Sequence, residues 1–445
     1  MRTSLLSFAL LASCASTSIR DDVDRVEALT KVELPDAVTA SDVELATSQD
    51  VADLLKQPMT ADTAVRIALL NNRELRGTLR DLGVERGELV QAGLLPNPTV
   101  AFDIRDPGAP GLPLQQDYYV EYELTRALLT PLRTAVAKAD LEAARYHVAG
   151  SVVAVSYRAR IAFFALLAAE QRLRIVQRGL EALAAARDAA QALHDAGNIP
   201  LVDLASEIAT YEDARARAAE LELEALERRE ELQALLGVHG AETQWTLGDG
   251  FPALPEGAGA DDDVERRAVT ASFQLAEVRS RLEAIAKRTG LARAEGWWPD
   301  ITVDGHIEQD QTLWEKGAGA SIRVPLFDRN QGTVARHEAE FDGLMERYQG
   351  LAIGVRSAAR RSRNRLLSAF TRAKQYAQTI VPARAEVMRQ TMLQYNAMQV
   401  GVFAVLQARG QELDSQLAYV ETLRDYWSAK AGFDALLAGH VPGEN

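Results

Sequence analysis

The chain has little of several features that common classes of protein need. It has one cysteine among 445 residues, so no disulfide can form within the chain. No apolar run after the N-terminus reaches the ~20 residues of a membrane-spanning helix, and the longest clear one is Ile161–Ala169. The net charge of −14 argues against nucleic acid as a partner, because nucleic acid binds basic patches.

Motifs that carry chemistry are also missing from the sequence. It contains no phosphate-binding loop, no Rossmann glycine pattern and no HExxH. The six histidines are scattered and none has the spacing of a metal site. We therefore expect a protein that is not an enzyme and that needs no cofactor and no metal. A hydrophobic content of 47% with 25% charged residues still indicates an ordered chain.

Two long heptad stripes are the dominant pattern that is present. Apolar residues alternate at steps of four and three from Val148 to Leu183, and again from Phe341 to Ile380 with only Ser362 interrupting. Such seams predict long helices that pack side by side with other helices. Helices over about 132–195 and 332–398 would each be roughly 95–100 Å long at 1.5 Å per residue.

Two hairpins are predicted at 97–125 and 299–325, where apolar and polar residues alternate strictly. The long helices already have their own seams, so lipid is the expected solvent for the apolar strand face. Four strands cannot close a barrel, and lipid tolerates no open edge, so several chains must share one barrel. Its water-filled lumen should then be lined by Asp103, Glu121, Glu123, Asp304, His306 and Glu308.

The chain is internally duplicated, with near-constant offsets between its halves. The matched landmarks are Leu75 with Leu275, Pro96 with Pro299, Gly197 with Gly401, and Gly237 with Gly439. Each half is predicted to run helix, hairpin, long helix and return helix, which sets the architecture. The predicted organisation is a first repeat over 60–237, a connector over 238–263, a second repeat over 264–439 and a tail over 440–445.

The N-terminus resembles a bacterial lipoprotein signal. Arg2 and a short apolar run precede Leu11-Ala12-Ser13-Cys14, which is similar to a lipobox. The resemblance implies a signal peptide over 1–13, lipidation of Cys14, and a tether over 14–59 that reaches from the membrane. The alternative is an ordinary secretory signal with a cysteine at this position by chance.

Further motifs resemble the TolC-like outer-membrane efflux proteins. They are Asn71–Leu75, Leu94–Pro98, Val324–Gly332, and Asp203-Leu204-Ala205 and Val405–Ala408 after the two glycine breaks. The resemblance implies a mainly α fold with a small β part. A long antiparallel α-helical barrel would adjoin a transmembrane β-barrel shared by a trimer, with two structural repeats per chain. It also implies outer-membrane lipid around the barrel, a periplasmic adaptor and an inner-membrane pump.

The helix breaks near 195–200 and 399–403 are predicted to form the far end of the helical tunnel. In the family this end holds the closed aperture and the adaptor contact, and both glycines are expected to take a positive φ at a helix C-terminus. The residues that the resemblance assigns to this tip and gate are His194, Asp195, Gly197, Asp203, Tyr395, Gly401, Phe403 and Gln407. Gln407 departs from the family, which often has Asp there, so this position supplies no carboxylate to an acidic ring at the tip.

The predicted function is a passive outer-membrane efflux channel, and two alternatives stay open. One is an exit duct for type I protein secretion, which would have the same fold. The other is a lipid-anchored structural coiled-coil protein. The stretch Pro325–Gly332 looks most like family members that serve heavy-metal pumps.

Overall fold

The structure is a computed structural model that describes residues 18–34, 50–108, 111–248, 250–260, 262–310 and 313–443. Cys14 and the signal peptide predicted over 1–13 lie outside these residues. The strands are β1 (Thr99–Arg105), β2 (Gln115–Glu123), β3 (Asp300–Asp310) and β4 (Leu313–Arg323). The helices are α1 (Arg20–Thr30), α2 (Ala61–Asn71), α3 (Arg73–Gly93), α4 (Leu124–Leu128), α5 (Thr130–Asp195), α6 (Leu201–Leu236), α7 (Val264–Ala271), α8 (Phe273–Trp297), α9 (Gln331–Gln375), α10 (Val381–Asn396) and α11 (Val402–Leu437).

The chain divides into two compact units. The first holds the described residues up to Val26 together with Leu79–Val148 and Leu275–Leu351, and it contains all four strands. The second holds Glu27–Thr78, Ala149–Gln274 and the chain from Ala352 onward.

In the first unit the four strands form one antiparallel sheet in the order β1-β2-β3-β4. Thr99 pairs with Glu121, and Glu123 pairs with Thr302, so the two hairpins join through β2 and β3. Strands β1 and β4 are the two edges of this sheet in the described chain. Because side chains alternate along each strand, the register places one residue set on each face.

Helix α1 also belongs largely to the first unit, and here the structure differs from the predicted tether over 14–59. Asp22 is fully buried and accepts hydrogen bonds from Arg86 Nε at 2.8 Å and Arg145 Nη2 at 2.6 Å. Val23 and Val26 are buried beside it. The Ser, Thr and Asp content suggested a tether, but three buried side chains on one helical face are enough to pack this short helix.

The second unit is built from long helices. Its core includes Ala168, Ile175 and Val176 of α5, Leu221 of α6, and Leu417 and Val420 of α11. Many predicted stripe positions are buried, namely Val152, Val155, Ala159, Leu166, Ala169, Val355, Ala359, Leu366, Ala369 and Ala373. The heptad pattern therefore identified the inward faces of α5 and α9 correctly.

Both repeats break their first helix at the same place. A single helix is predicted around Ala61–Ala92 and another around 264–295, but Asn72 and Ser272 interrupt them with ψ of 118° and 113°. Asn72 Nδ2 donates to Leu235 O at 2.8 Å, and Asn72 Oδ1 accepts from the Leu75 N–H at 2.9 Å. The interruption lets the Asn72 side chain bridge the helix break and the end of α6.

The return helices of both repeats end on a glycine with positive φ, 69° at Gly237 and 103° at Gly439. A Cβ at Gly237 would lie 2.6 Å from Asn71 O, and one at Gly439 would lie 2.5 Å from Ala271 O. Neither space nor backbone conformation admits a side chain there. The same close contact in both halves confirms the duplication at an offset of 202 residues for these glycines.

Pro382 lies close to an irregular turn in the second long helix. Residues Tyr376–Ile380 form a π-helical turn between α9 and α10, and the Val381 N–H donates to Tyr376 O. Proline has no N–H to donate to the regular hydrogen bonds of an α-helix. The π-helical turn contains one extra residue and accommodates Pro382 in the helix. Helix α5, the counterpart in the first repeat, runs through 66 residues.

In the described part of the chain, α5 alone is long and apolar enough to cross a membrane by length and composition. Of its most apolar window, 56% is buried within the chain.

Candidate functional site

One face of the sheet carries a row of carboxylates at a single level. The register aligns Asp103 of β1 with Asp117 of β2, Asp117 with Glu308 of β3, and Glu308 with Glu315 of β4. Each strand therefore contributes one acid to the same row. Arg105 lies on the same face, where it forms an ion pair with Asp117 and approaches Asp103 Oδ2 at 3.6 Å.

The predicted lumen residues all lie on this face. The register pairs Glu121 with Asp304, and His306 with Tyr119, while Glu123 lies opposite Thr302. His306 Nδ1 lies 3.6 Å from Asp304 Oδ2, so its nearest charged neighbour is on its own strand. Asp103 and Glu308 belong to the carboxylate row.

Asp117, Glu315 and Arg105 were missed as members of this face. Asp117 precedes Tyr119 by two residues, so extending the alternation of β2 by one step would have found it. Glu315 lies in a strand of Gly and Ala whose alternation is too weak to show a face. Only the pairing register shows that the four acids share one level.

The opposite face of the sheet is apolar and open. Phe102 is 74% exposed and Val100 70% exposed, although both belong to a regular strand. The ring of Tyr118 stacks on that of Trp314 with centroids 6.2 Å apart. The other large apolar residues on this face are Ile104, Val120, Tyr122, Ile301, Val303, Ile307 and Ile322. A soluble protein rarely exposes so continuous an apolar surface.

The predicted tip begins with the turn between α5 and α6. Gly197 has φ of 76°, its N–H donates to His194 O at 2.8 Å, and the Asn198 N–H donates to Leu193 O at 2.8 Å. This is the Schellman arrangement that ends helices on glycine. His194 Nδ1 lies 3.0 Å from Ile199 O, and Asp195 accepts a hydrogen bond from Gln191.

The turn between α10 and α11 has the same hydrogen bonds but a different residue at its centre. The Met398 N–H donates to Tyr395 O and the Gln399 N–H to Gln394 O, both at 2.9 Å. Met398 has φ of 58°, whereas Gly401 has φ of −81°. The expected positive φ at Gly401 is therefore wrong, because the helix ends three residues earlier than the matched glycines suggest.

This turn also corrects the alignment of the repeats at the tip. Gly197 corresponds to Met398 and Pro200 to Gly401, since Pro200 and Gly401 each precede a return helix. The offset is 201 residues rather than the 204 of the matched glycines. Asp203 then corresponds to Ala404.

The side chains at the two turns are largely exposed and apolar. Met398 is 95% exposed, and Leu201, Val202 and Phe403 are exposed as well. Helix α10 has no buried residue in the chain. Within the described residues, the side chains of Asp203, Tyr395 and Gln407 have no hydrogen-bond or ion-pair partner.

Charges near the second turn are paired along the helix. Hydrogen bonds from Arg389 and Gln390 lower the pKa of Glu386 to about 2. No group of three or more His, Cys, Asp or Glu side chains that could hold a metal ion occurs within the described ranges.

Known proteins share this architecture. No family model matches the chain. The cobalt-zinc-cadmium resistance protein CzcC of Cupriavidus metallidurans is 24% identical over 387 residues, which cover 85% of this chain and 90% of CzcC. The outer-membrane channel OprN superposes with a TM-score of 0.70 at 19% identity, covering 85% of this chain and 90% of OprN. The outer-membrane protein VceC of Vibrio cholerae gives 0.70 at 17% identity, over 86% and 97%. The chain therefore has the fold of the TolC-like outer-membrane channel proteins.

Proposed function

We propose that three copies of this chain form the outer-membrane exit duct of a tripartite efflux system that exports divalent metal cations. The observation that carries the duct is the sheet, which has one apolar face, one acidic face and two open edges. In a bilayer every backbone group must be paired, so the edges β1 and β4 must pair with other copies. Three copies supply 3 × 4 = 12 strands.

The acidic face then lines the lumen and supports the choice of cations. Asp103, Asp117, Glu308 and Glu315 would give 3 × 4 = 12 carboxylates at one level, with three copies of Arg105 beside them. A ring of one sign lowers the energy of counter-ions in a narrow pore and excludes ions of the same sign. CzcC, named for resistance to cobalt, zinc and cadmium, supports metal cations over protein as the cargo.

The helical turns support a role at the periplasmic end. Leu201, Val202, Met398 and Phe403 are exposed in a single chain, and a periplasmic adaptor that leads to an inner-membrane pump is the partner we propose for them. The side chains of Asp203 and Tyr395 have no partner among the described residues of one chain, so we assign them to contacts between copies that close the duct. Cys14 is the proposed site of lipidation, which would hold the N-terminus at the outer membrane.

The test is the ion selectivity of the purified channel in planar bilayers under a gradient of KCl. The wild type should prefer cations. The variant Asp103→Asn, Asp117→Asn, Glu308→Gln and Glu315→Gln should lose most of that preference, because the neutral side chains keep the shape of the row without its charge. Lys316→Gln, on the apolar face beside the row, is the control and should leave the reversal potential unchanged. An anion-selective wild type, or a charge-neutral variant that selects as the wild type does, would refute the proposal.

A further inference from the structure

A second level of polar side chains lies next to the carboxylate row on the acidic face of the sheet. His306 of β3 pairs with Gly317 of β4, and Asp304 pairs with Gly319. Alternate residues of a strand share a face, and two residues advance the strand by about 7 Å. His306 is therefore one such step from Glu308 of the row, and Asp304 is one step further along β3.

The two glycines of β4 give His306 and Asp304 room to lie against that strand. A Cβ at Gly317 would overlap His306 Nε2, and a Cβ at Gly319 would lie 2.7 Å from Asp304 Oδ1. The imidazole and the carboxylate therefore lean toward the same neighbouring strand and lie side by side. Their side chains are 44% and 16% exposed, so an ion on this face can reach both.

The distance between the nearest polar atoms of this pair suits a shared metal ion. His306 Nδ1 lies 3.6 Å from Asp304 Oδ2, and this is too long for a hydrogen bond. Zinc bonds imidazole nitrogen and carboxylate oxygen at about 2.0–2.2 Å, so two such ligand atoms lie about 3–3.5 Å apart around it. A small rotation of either side chain would bring both atoms within bonding distance of one ion.

The chemistry of the two ligands determines which cations they favour. Mg²⁺ and Ca²⁺ take oxygen ligands, whereas imidazole nitrogen suits Zn²⁺, Cu²⁺ and Ni²⁺. With two protein ligands in each copy, water keeps the remaining coordination positions and the metal is held weakly. Weak binding is what a conduit needs, because an ion enclosed by a full set of protein ligands would not leave.

Another histidine in the chain has the same spacing to a carboxylate in a different setting. His239 Nδ1 lies 3.6 Å from Glu242 Oε2, but the His239 side chain is 88% exposed. An exposed side chain loses more rotamer freedom when it binds an ion. His306 instead lies against β4, beside a row of carboxylates that raises the local concentration of cations. His239 therefore provides a matched control for the spacing alone.

We propose that Asp304 and His306 of each copy form a weak binding site for a divalent transition-metal ion such as Zn²⁺. The carboxylate row attracts cations of every kind, and the imidazole then favours those that bind nitrogen. This inference rests on the proposed duct and identifies the residues that distinguish transition metals from Mg²⁺ within it. Three copies place three such sites at one level of the lumen.

Zinc block of the potassium current tests the site. The purified channel is held in planar bilayers in symmetric KCl, at a slightly alkaline pH where imidazole is ordinarily neutral. ZnCl₂ should lower the single-channel conductance at concentrations well below those at which MgCl₂ does. His306→Gln should raise the half-blocking Zn²⁺ concentration about tenfold or more, since losing even a residue that supports a metal ligand costs about that much affinity.

A glycine substitution tests the packing against β4 while keeping both ligands. The methyl group of Gly317→Ala would displace the imidazole, so zinc block should weaken severalfold although His306 is still present. Gly305→Ala is the matched control on the opposite face, because a Cβ there meets nothing within 4 Å. His239→Gln should also leave zinc block unchanged. All four variants should conduct K⁺ as the wild type does before metal is added.

The outcomes separate this site from the duct itself. A cation-selective wild type that Zn²⁺ and Mg²⁺ block at equal concentrations overturns the site and leaves the duct intact. Unchanged zinc block in His306→Gln does the same, because another residue would then hold the metal. A wild type that forms no conducting channel removes both the site and the duct.

Discussion

The two repeats share their order of elements but differ in how well each is stabilised locally. The first repeat has an unbroken helix α5 and a turn centred on Gly197, a residue suited to positive φ. The second repeat interrupts its long helix with a π turn before Pro382 and places Met398 in the left-handed region. Such features persist only where surrounding structure or function requires them. The duplication has kept the order of elements, while the second repeat has gained these two local irregularities.

The hairpins are where the two repeats should behave alike. Val120→Arg in the first hairpin and Val303→Arg in the second each put a charge on the apolar face, at a cost of about 2–4 kcal/mol per chain near the bilayer midplane. With three copies, neither variant should insert, as measured by trypsin sensitivity and outer-membrane fractionation. Glu121→Arg on the acidic face should insert normally. Equal tolerance of Val120→Arg and Glu121→Arg would contradict the assignment of the faces.

The turns at the helical ends are where the two repeats should cooperate. Asp203 belongs to the first repeat and Tyr395 to the second. A charge-assisted hydrogen bond between copies at these residues would contribute about 1.5–3 kcal/mol to closure. Asp203→Ala with Tyr395→Phe should therefore raise the resting single-channel conductance severalfold in bilayers. Glu123→Ala in the sheet is the control, which should alter ion selectivity and leave resting conductance unchanged. The reverse pattern would place the gate at the strands.

The centres of the two turns should respond in opposite directions to substitution. Met398→Gly relieves a left-handed conformation that costs a side chain about 1–2 kcal/mol, partly offset by the greater freedom of glycine in the unfolded chain. Met398→Gly is therefore expected to raise the free energy of unfolding by about 0.5–1 kcal/mol. Gly197→Ala should instead destabilise the first turn by about 1 kcal/mol. Melting temperatures of the two variants measure the contrast, and a shift of the same sign in both would refute it.

The smallest predicted effect concerns the buried carboxylate of Glu207, whose position is occupied by alanine in the second repeat. Burial raises the pKa of Glu207, and the corresponding position in the second repeat is the buried Ala408. Between the pKa of Glu207 in the unfolded chain, near ~4.3, and its higher pKa in the folded chain, the folded chain holds a proton that the unfolded chain has released. The free energy of unfolding therefore falls as the pH rises through this range. Glu207→Gln should raise the melting temperature at neutral pH and leave it unchanged near pH ~3.5. A difference in melting temperature between Glu207→Gln and the wild type that grows on acidification would contradict this prediction.

Periodicity in the sequence predicted the parts of the molecule that depend on which way a side chain faces. It identified the seams of α5 and α9, both hairpins, and the common face of Asp103, Glu121 and Asp304. It did not predict how strands align with one another, so Asp117 and Glu315 were missed from the carboxylate row. Pairing register depends on contacts between distant segments, which alternation within one strand does not encode.

Local backbone conformation was the second feature that the sequence did not predict. Matching Gly197 with Gly401 assumed that the same residue type marks the same position in the turn. Helix α10 ends at Asn396, so Met398 rather than Gly401 takes the left-handed conformation. Composition likewise suggested a tether at 14–59, although the burial of Asp22 depends on Arg86 and Arg145, which are distant in sequence.

The ion cluster at Asp22 has a mechanical consequence. Asp22 is the eighth residue after Cys14, so extended chain between them spans at most about 29 Å. If the N-terminus is anchored to lipid, any tension between membrane and protein reaches the folded body first at this helix. The load would then act on two guanidinium groups held on separate helices, α3 and α5. Because Asp22 joins α3 to α5, both helices share any load that the N-terminus transmits.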